Sequence, residues 1–105
     1  MGDFIFEIID KNGRKIHLSR ERWKHIQAHP YMHEHLESIE STLKNSLTIR
    51  LFPFQKNVFH YYKEFKQYGL ERRYLLVAVK YLNGDGFVVT SFFTNKIEGI
   101  EWKTK

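Results

Sequence analysis

The chain contains no cysteine. Disulfide staples and thiolate metal sites are therefore excluded, and a packed core must hold the 105 residues together. Proline occurs only twice, at Pro30 and Pro53, so breaks in regular structure are few and their positions informative. No apolar run approaches the roughly 18–20 residues that a membrane span requires. The opening residues Met1-Gly2-Asp3-Phe4 lack a basic stretch leading into an apolar one, and position 6 is Phe where a myristoylation site wants Ser or Thr. No repeat, low-complexity tract or linker interrupts the sequence. The expectation is one domain over residues 1–105, without a membrane segment, working in the cytoplasm.

What the chain does have is aromatic and basic. Apolar residues make up 42% and aromatic residues 16%, enough for a core and too much for a disordered chain. The net charge of +5 is unevenly placed. Residues 1–45 balance seven Lys/Arg against seven Asp/Glu, whereas residues 46–105 hold ten Lys/Arg against five Asp/Glu. Most of the Tyr and Phe lie in that same basic half. Cations hold phosphates and rings stack on bases, so the combination suits RNA as a partner. A solubilising charge excess is the plainer alternative.

Hydrophobic periodicity gives the elements. Phe4 to Ile9 alternates as a strand, Asn12-Gly13 reads as a hairpin turn, and Ile16-His17-Leu18 as the short return strand. Ser19 suits an N-cap for a helix over about 20–28, which Pro30 ends. Met32, Leu36, Ile39 and Leu43 form one stripe of a second helix over about 32–45. Four strands follow, Leu47–Phe52, Asn57–Lys63, Arg72–Tyr81 and Gly86–Thr94, with 64–71 as the longest loop and Asn83-Gly84 as a second hairpin signal. This order predicts an α+β fold: an N-terminal β-hairpin, two short helices covering one face of a four-stranded, mainly antiparallel sheet, and the other face left for a ligand or solvent.

Several side chains in this frame could carry chemistry. Around the first helix, Trp23, Ile26 and Pro30 share one sector and Arg22, His25 and His29 the neighbouring one, which puts two imidazoles at the edge of the buried side. Imidazole titrates near neutral pH and suits proton transfer. The same HxxxH spacing fits a metal-binding helix, but a zincin needs Glu directly after the first His and Ile26 stands there; His33 and His35 bring no carboxylate base. No metal or other cofactor is expected. Along the third of the four strands, Leu75, Val77 and Val79 should face the helices and Lys80 the open side. Thr90, Ser91 and Thr94 crowd hydroxyls into the last strand, though alternation alone does not say which of them joins Lys80. Tyr62 and His60 share one face of their strand, Tyr61 and Lys63 the other. Arg50, Arg72 and Arg73 are candidate phosphate contacts.

The segments Ile16-His17-Leu18-Ser19-x-Glu21-Arg22-Trp23-x-His25-Ile26-x-x-His29-Pro30, Ile39-x-x-Thr42-Leu43, Tyr61-Tyr62-Lys63, Tyr74-Leu75-Leu76-Val77-x-Val79-Lys80 and Gly86-Phe87-Val88-Val89-Thr90-Ser91-Phe92-x-Thr94 resemble, in this order, the phage and prokaryotic nuclease-like domains grouped with barnase, EndoU, the tRNA-cutting colicins and RelE. The resemblance, which spans nearly the whole chain, implies a RelE-like, metal-independent endoribonuclease fold, in a wider group whose members include effector domains and toxins paired with an antitoxin or immunity protein. It implies a reaction in which a ribose 2′-hydroxyl attacks the adjacent phosphorus. His25 would be base or acid, His29 or Tyr62 its partner, Lys80 the cation on the phosphorane, and Thr90 and Thr94 donors to phosphate oxygens. Arg22, Arg50, His60, Lys63, Arg72, Arg73 and Ser91 would contact RNA. One departure stands out: the group often reads Thr-Ala-Tyr in the last strand, and this chain reads Thr90-Ser91-Phe92. Two other readings fit the same residues, a non-catalytic RNA-binding domain and a protein-interaction domain.

Overall fold

Alternating apolar residues build most of this molecule, and the strands fall close to where the alternation puts them. The computed structural model describes residues 4–30, 32–65 and 74–103. A hairpin of β1 (Phe4–Ile9) and β2 (Lys15–Ser19) leads directly into helix α1 (Arg20–Gln27). A 3-10 turn (Met32–Glu34) and helix α2 (Leu36–Lys44) follow, then β3 (Thr48–Leu51), β4 (Val58–Glu64), β5 (Tyr74–Leu82), β6 (Asp85–Thr94) and β7 (Ile100–Glu101). The expected second helix is thus split, its first turn being 3-10 with the break at His35. Much of the expected long loop over 64–71 lies outside the described residues.

The α+β class holds, but the sheet is larger than four strands. Among the described residues seven strands join in the order β1-β2-β6-β5-β4-β3-β7, antiparallel throughout except between β2 and β6. The N-terminal hairpin is part of this sheet because Ile16 and His17 pair in parallel with Gly86 and Phe87. Ile16 and Leu18 are wholly buried, and only a hairpin laid against the main sheet could bury both. At the far edge, the residues after β6 supply the unexpected β7, which pairs with β3 at Arg50↔Glu101 and Leu51↔Ile100.

The helices cover one face. Ser19 caps α1, its Oγ accepting from the Arg22 amide at 3.1 Å, and Ile26 enters the core with Trp23 packed against it. From α2, Ile39 and Leu43 meet Leu75, Val77 and Val79 of β5, all fully buried. Each such side chain contributes roughly 1.5–3 kcal/mol by leaving water. The β5–β6 turn is set by Asn83 (φ 53°) and Gly84 (φ 88°), both in the left-handed region that a tight two-residue hairpin demands.

A β-bulge settles the side of the last strand. Ala78 pairs with Thr90 but the next pair is Val79 with Val88, so Val89 is an extra residue on β6. Val88 consequently belongs to the helix-side core, while Thr90, Phe92 and Thr94 share the opposite face with Ala78 and Lys80.

That opposite face is only partly open. Three strands separate β6 from β7, so residues 95–99 must cross the sheet. Ile97 packs on the Tyr62, Leu76 and Ala78 cluster, the Glu98 amide donates to Tyr62 Oη at 3.4 Å, and Arg50 Nη1 donates to the Gly99 carbonyl at 3.1 Å. Gly99 (φ 95°) lies so close that a Cβ there would stand 2.9 Å from the Leu51 carbonyl oxygen.

Candidate functional site

On this face a row of side chains runs across the strands. Arg50 pairs with His60, His60 with Ala78, and Ala78 with Thr90, placing all four at one level on one side. Beyond the free edge of β6, α1 delivers His29, whose Nε2 lies 3.4 Å from Thr90 Oγ1 and whose ring meets Phe92 at 5.7 Å. Ala78 is only 4% exposed beneath Ile97, so Thr90 and His29 are the reachable members of this row, with His60 half-buried on the far side. Adjacent strands lie about 4.8 Å apart, which separates His60 from Thr90 by roughly 10 Å at the backbone. Lys80, exposed and two residues along from Ala78, stands on the same side.

The local fold explains each position. His29 is just past α1, where its amide donates to the Ile26 carbonyl at 3.0 Å and its carbonyl accepts from the Met32 amide at 3.2 Å. Pro30 ends the helix there, so the imidazole reaches over the sheet edge. His60 is held by the ladder of β4 and by the edge of the Phe52 ring at 5.2 Å. Its Nδ1 is shielded from solvent with no hydrogen-bond partner among the described residues. Burial pushes its pKa below the ordinary histidine value, with Glu98 opposing, so the ring is neutral at neutral pH.

Not every expected site residue joins this row. His25 and Arg22 are exposed on α1, one and two turns before His29. Tyr62 is only 2% exposed beneath the crossing segment, and burial pushes its phenol pKa up, so it is no proton donor to a ligand in this arrangement. Thr94 is at the end of β6 with its Oγ1 accepting from the Lys96 amide at 3.3 Å. Two expected RNA contacts face the helices instead. Lys63 donates to Ser41 Oγ on α2, and Ser91, fully buried, donates to the Leu76 carbonyl at 2.8 Å. Alternation sends both away from the open face, as it sends Thr90 toward it. Arg50 is half-buried and tied to Thr48 Oγ1 at 3.1 Å and to the crossing segment. Arg72 and Arg73 lie outside the described residues. No three His, Asp or Glu side chains converge as a metal site would need among the described residues.

Sequence reasoning missed the segment leading to β7 that covers part of this face, and the buried polar network behind the sheet. There Asp10 Oδ2 accepts from Tyr61 Oη at 2.6 Å, Tyr61 and Tyr81 hydroxyls lie 2.5 Å apart, and Arg14 Nη2 donates to Tyr61 Oη at 2.9 Å. The Arg14 guanidinium sits over the Tyr81 and Trp102 rings at 4.3 and 4.4 Å. Burial pushes the Tyr61 pKa far up and that of Tyr81 up to about 12, so both phenols stay protonated. The one sequence signal was Asp10 four residues before Arg14 across the Asn-Gly turn. Searches against family models, curated proteins and solved structures returned no match to this chain.

Proposed function

We propose that the chain is a metal-independent endoribonuclease with the RelE-like fold of the group it resembles, acting through the row between His29 and His60. The observation that carries this reading is the 3.4 Å approach of His29 to Thr90 on the face that also bears His60 and Lys80. A phosphodiester held at Thr90 and Lys80 meets His29 on one side and His60 on the other. Neutral His60 takes the proton of the ribose 2′-hydroxyl as its oxygen bonds to phosphorus. The P–O5′ bond breaks and His29, as the general acid, gives a proton to the leaving oxygen. Lys80 and Thr90 hold the non-bridging oxygens as their charge grows. His25 and Arg22 contact the strand beyond the cleaved bond. The products are a 2′,3′-cyclic phosphate and a 5′-hydroxyl. On the same resemblance the protein acts in the cytoplasm as a toxin neutralised by an antitoxin or immunity protein.

Incubation with total tRNA, mRNA and ribosomes, with and without excess chelator, tests the reading. Fragments with 2′,3′-cyclic phosphate ends, equally abundant in chelator, are expected. Intact RNA, chelator-sensitive cutting, or 3′-hydroxyl ends would overturn it. Salt-sensitive RNA binding without cutting would favour the non-catalytic binding domain. Loss of viability on expression, relieved by His29→Ala, checks the toxin assignment.

A further inference from the structure

The row does not stop at His60. On its far side the Phe52 ring touches His60 edge-on at 5.2 Å, and Phe54 touches Phe52 at 5.8 Å. Phe54 is 80% exposed, the highest value among the exposed large apolar residues described. An unbroken succession of rings therefore runs from the solvent to the proposed general base.

The segment carrying Phe54 is held in place. The Gln55 amide donates to the Phe52 carbonyl at 3.0 Å, the Val58 amide to the Gln55 carbonyl at 3.4 Å, and the Tyr81 amide to the Asn57 carbonyl at 2.8 Å. Asn57 adopts a φ of 63°, and Pro53 fixes its own backbone between the two rings. Behind Phe52, Gly99 backs the ring so closely that a Cβ would lie 3.1 Å from its Cζ. A ring kept in water on a hydrogen-bonded turn costs stability and little mobility, the arrangement of a preorganised contact surface. Two cations flank the turn, with the Glu98 carboxylate on the His60 side. Lys56 is exposed on the same turn, and Lys80 is opposite Val58, where the turn enters β4.

We propose that Phe54, backed by Phe52, is a nucleobase-stacking platform that limits the substrate to unpaired RNA. The proposal rests on the nuclease reading and names the substrate class of that site. A base flanking the phosphodiester at Thr90 and Lys80 stacks on Phe54 while Lys56 takes a neighbouring phosphate. Any base offers a π-face, so the platform selects for strandedness and not for sequence. A base inside a duplex keeps both faces stacked on its neighbours and cannot lie on the ring.

The test compares the full chain with Phe54→Ala and His29→Ala, using a labelled single-stranded oligonucleotide, the same strand in a duplex, and a single strand with one abasic position. Wild type should bind the single strand more tightly than the duplex. Phe54→Ala should weaken single-strand binding about 5- to 150-fold, with an unchanged unfolding temperature and an unchanged affinity for the duplex. At one position of a scan, the abasic change should weaken wild type and leave Phe54→Ala unaffected. His29→Ala should retain the preference for single strands while losing cleavage. Equal affinity of wild type and Phe54→Ala for the single strand overturns the platform and leaves the nuclease reading standing if wild type still cuts. If wild type neither binds nor cuts single-stranded RNA, both fail.

Discussion

The two faces of this sheet use similar side chains in opposite ways. On the helix-covered face, Tyr61, Tyr81, Asp10, Arg14, Lys63 and Ser91 all find protein partners, so their polar atoms serve the fold. On the other face, His60 has a ring nitrogen without a partner among the described residues, Lys80 is exposed, and His29 makes a long contact with Thr90. A buried polar group must be matched within the protein or it destabilises the fold. The contrast is sharpest at two consecutive residues, Thr90 and Ser91, which the pleat sends to opposite sides.

The largest expected effect tests the open side. His29→Ala should lower RNA cleavage about 10²- to 10⁴-fold, the usual contribution of a positioned acid or base, with the thermal midpoint unchanged. On the covered side, Asp10→Ala removes the carboxylate that Tyr61 and Arg14 share. It should cost about 3 kcal/mol in urea unfolding, because a largely buried guanidinium loses its counter-charge. The neighbouring pair sharpens the comparison further. Thr90→Val should reduce cleavage roughly tenfold at constant stability, whereas Ser91→Ala should lower stability by about 1 kcal/mol at constant cleavage. If the two variants behaved alike, the division of labour between faces would be lost.

The smallest effect is in the pH dependence of stability. Burial lowers the pKa of His35 on the covered side and of His60 on the open side. The unfolded chain therefore binds more protons than the folded one below about pH 6.5, and stability falls as pH drops through that value until the folded pKa is passed. Urea midpoints from pH 8 to pH 5 should show the decline, and His35→Gln should reduce it.

Much of this arrangement was legible in the residues. The capped helix ending before Pro30, the apolar stripe of Ile39 and Leu43, and the inward set Leu75, Val77 and Val79 all appear as their periodicities predict. These are local patterns of strong contrast. Three features were hidden because they depend on distant pairing. The parallel contact of Ile16 and His17 with Gly86 and Phe87 joins segments some seventy residues apart. The extra residue Val89 reverses the alternation that would have put Val88 beside Thr90, and no turn residue announces it. β7 is two residues long, too short for a periodicity, yet it draws the crossing segment over Tyr62 and removes that phenol from solvent.

One consequence follows from the absence of any loop between β2 and α1. Ser19 closes the strand and Arg20 opens the helix, so the position of His29 is inherited from the hairpin. The hairpin itself is moored at two points, the short parallel pairing and the Asp10–Arg14 turn bound to Tyr61. A phenol–carboxylate knot on one side of the sheet thereby helps decide where an imidazole stands on the other.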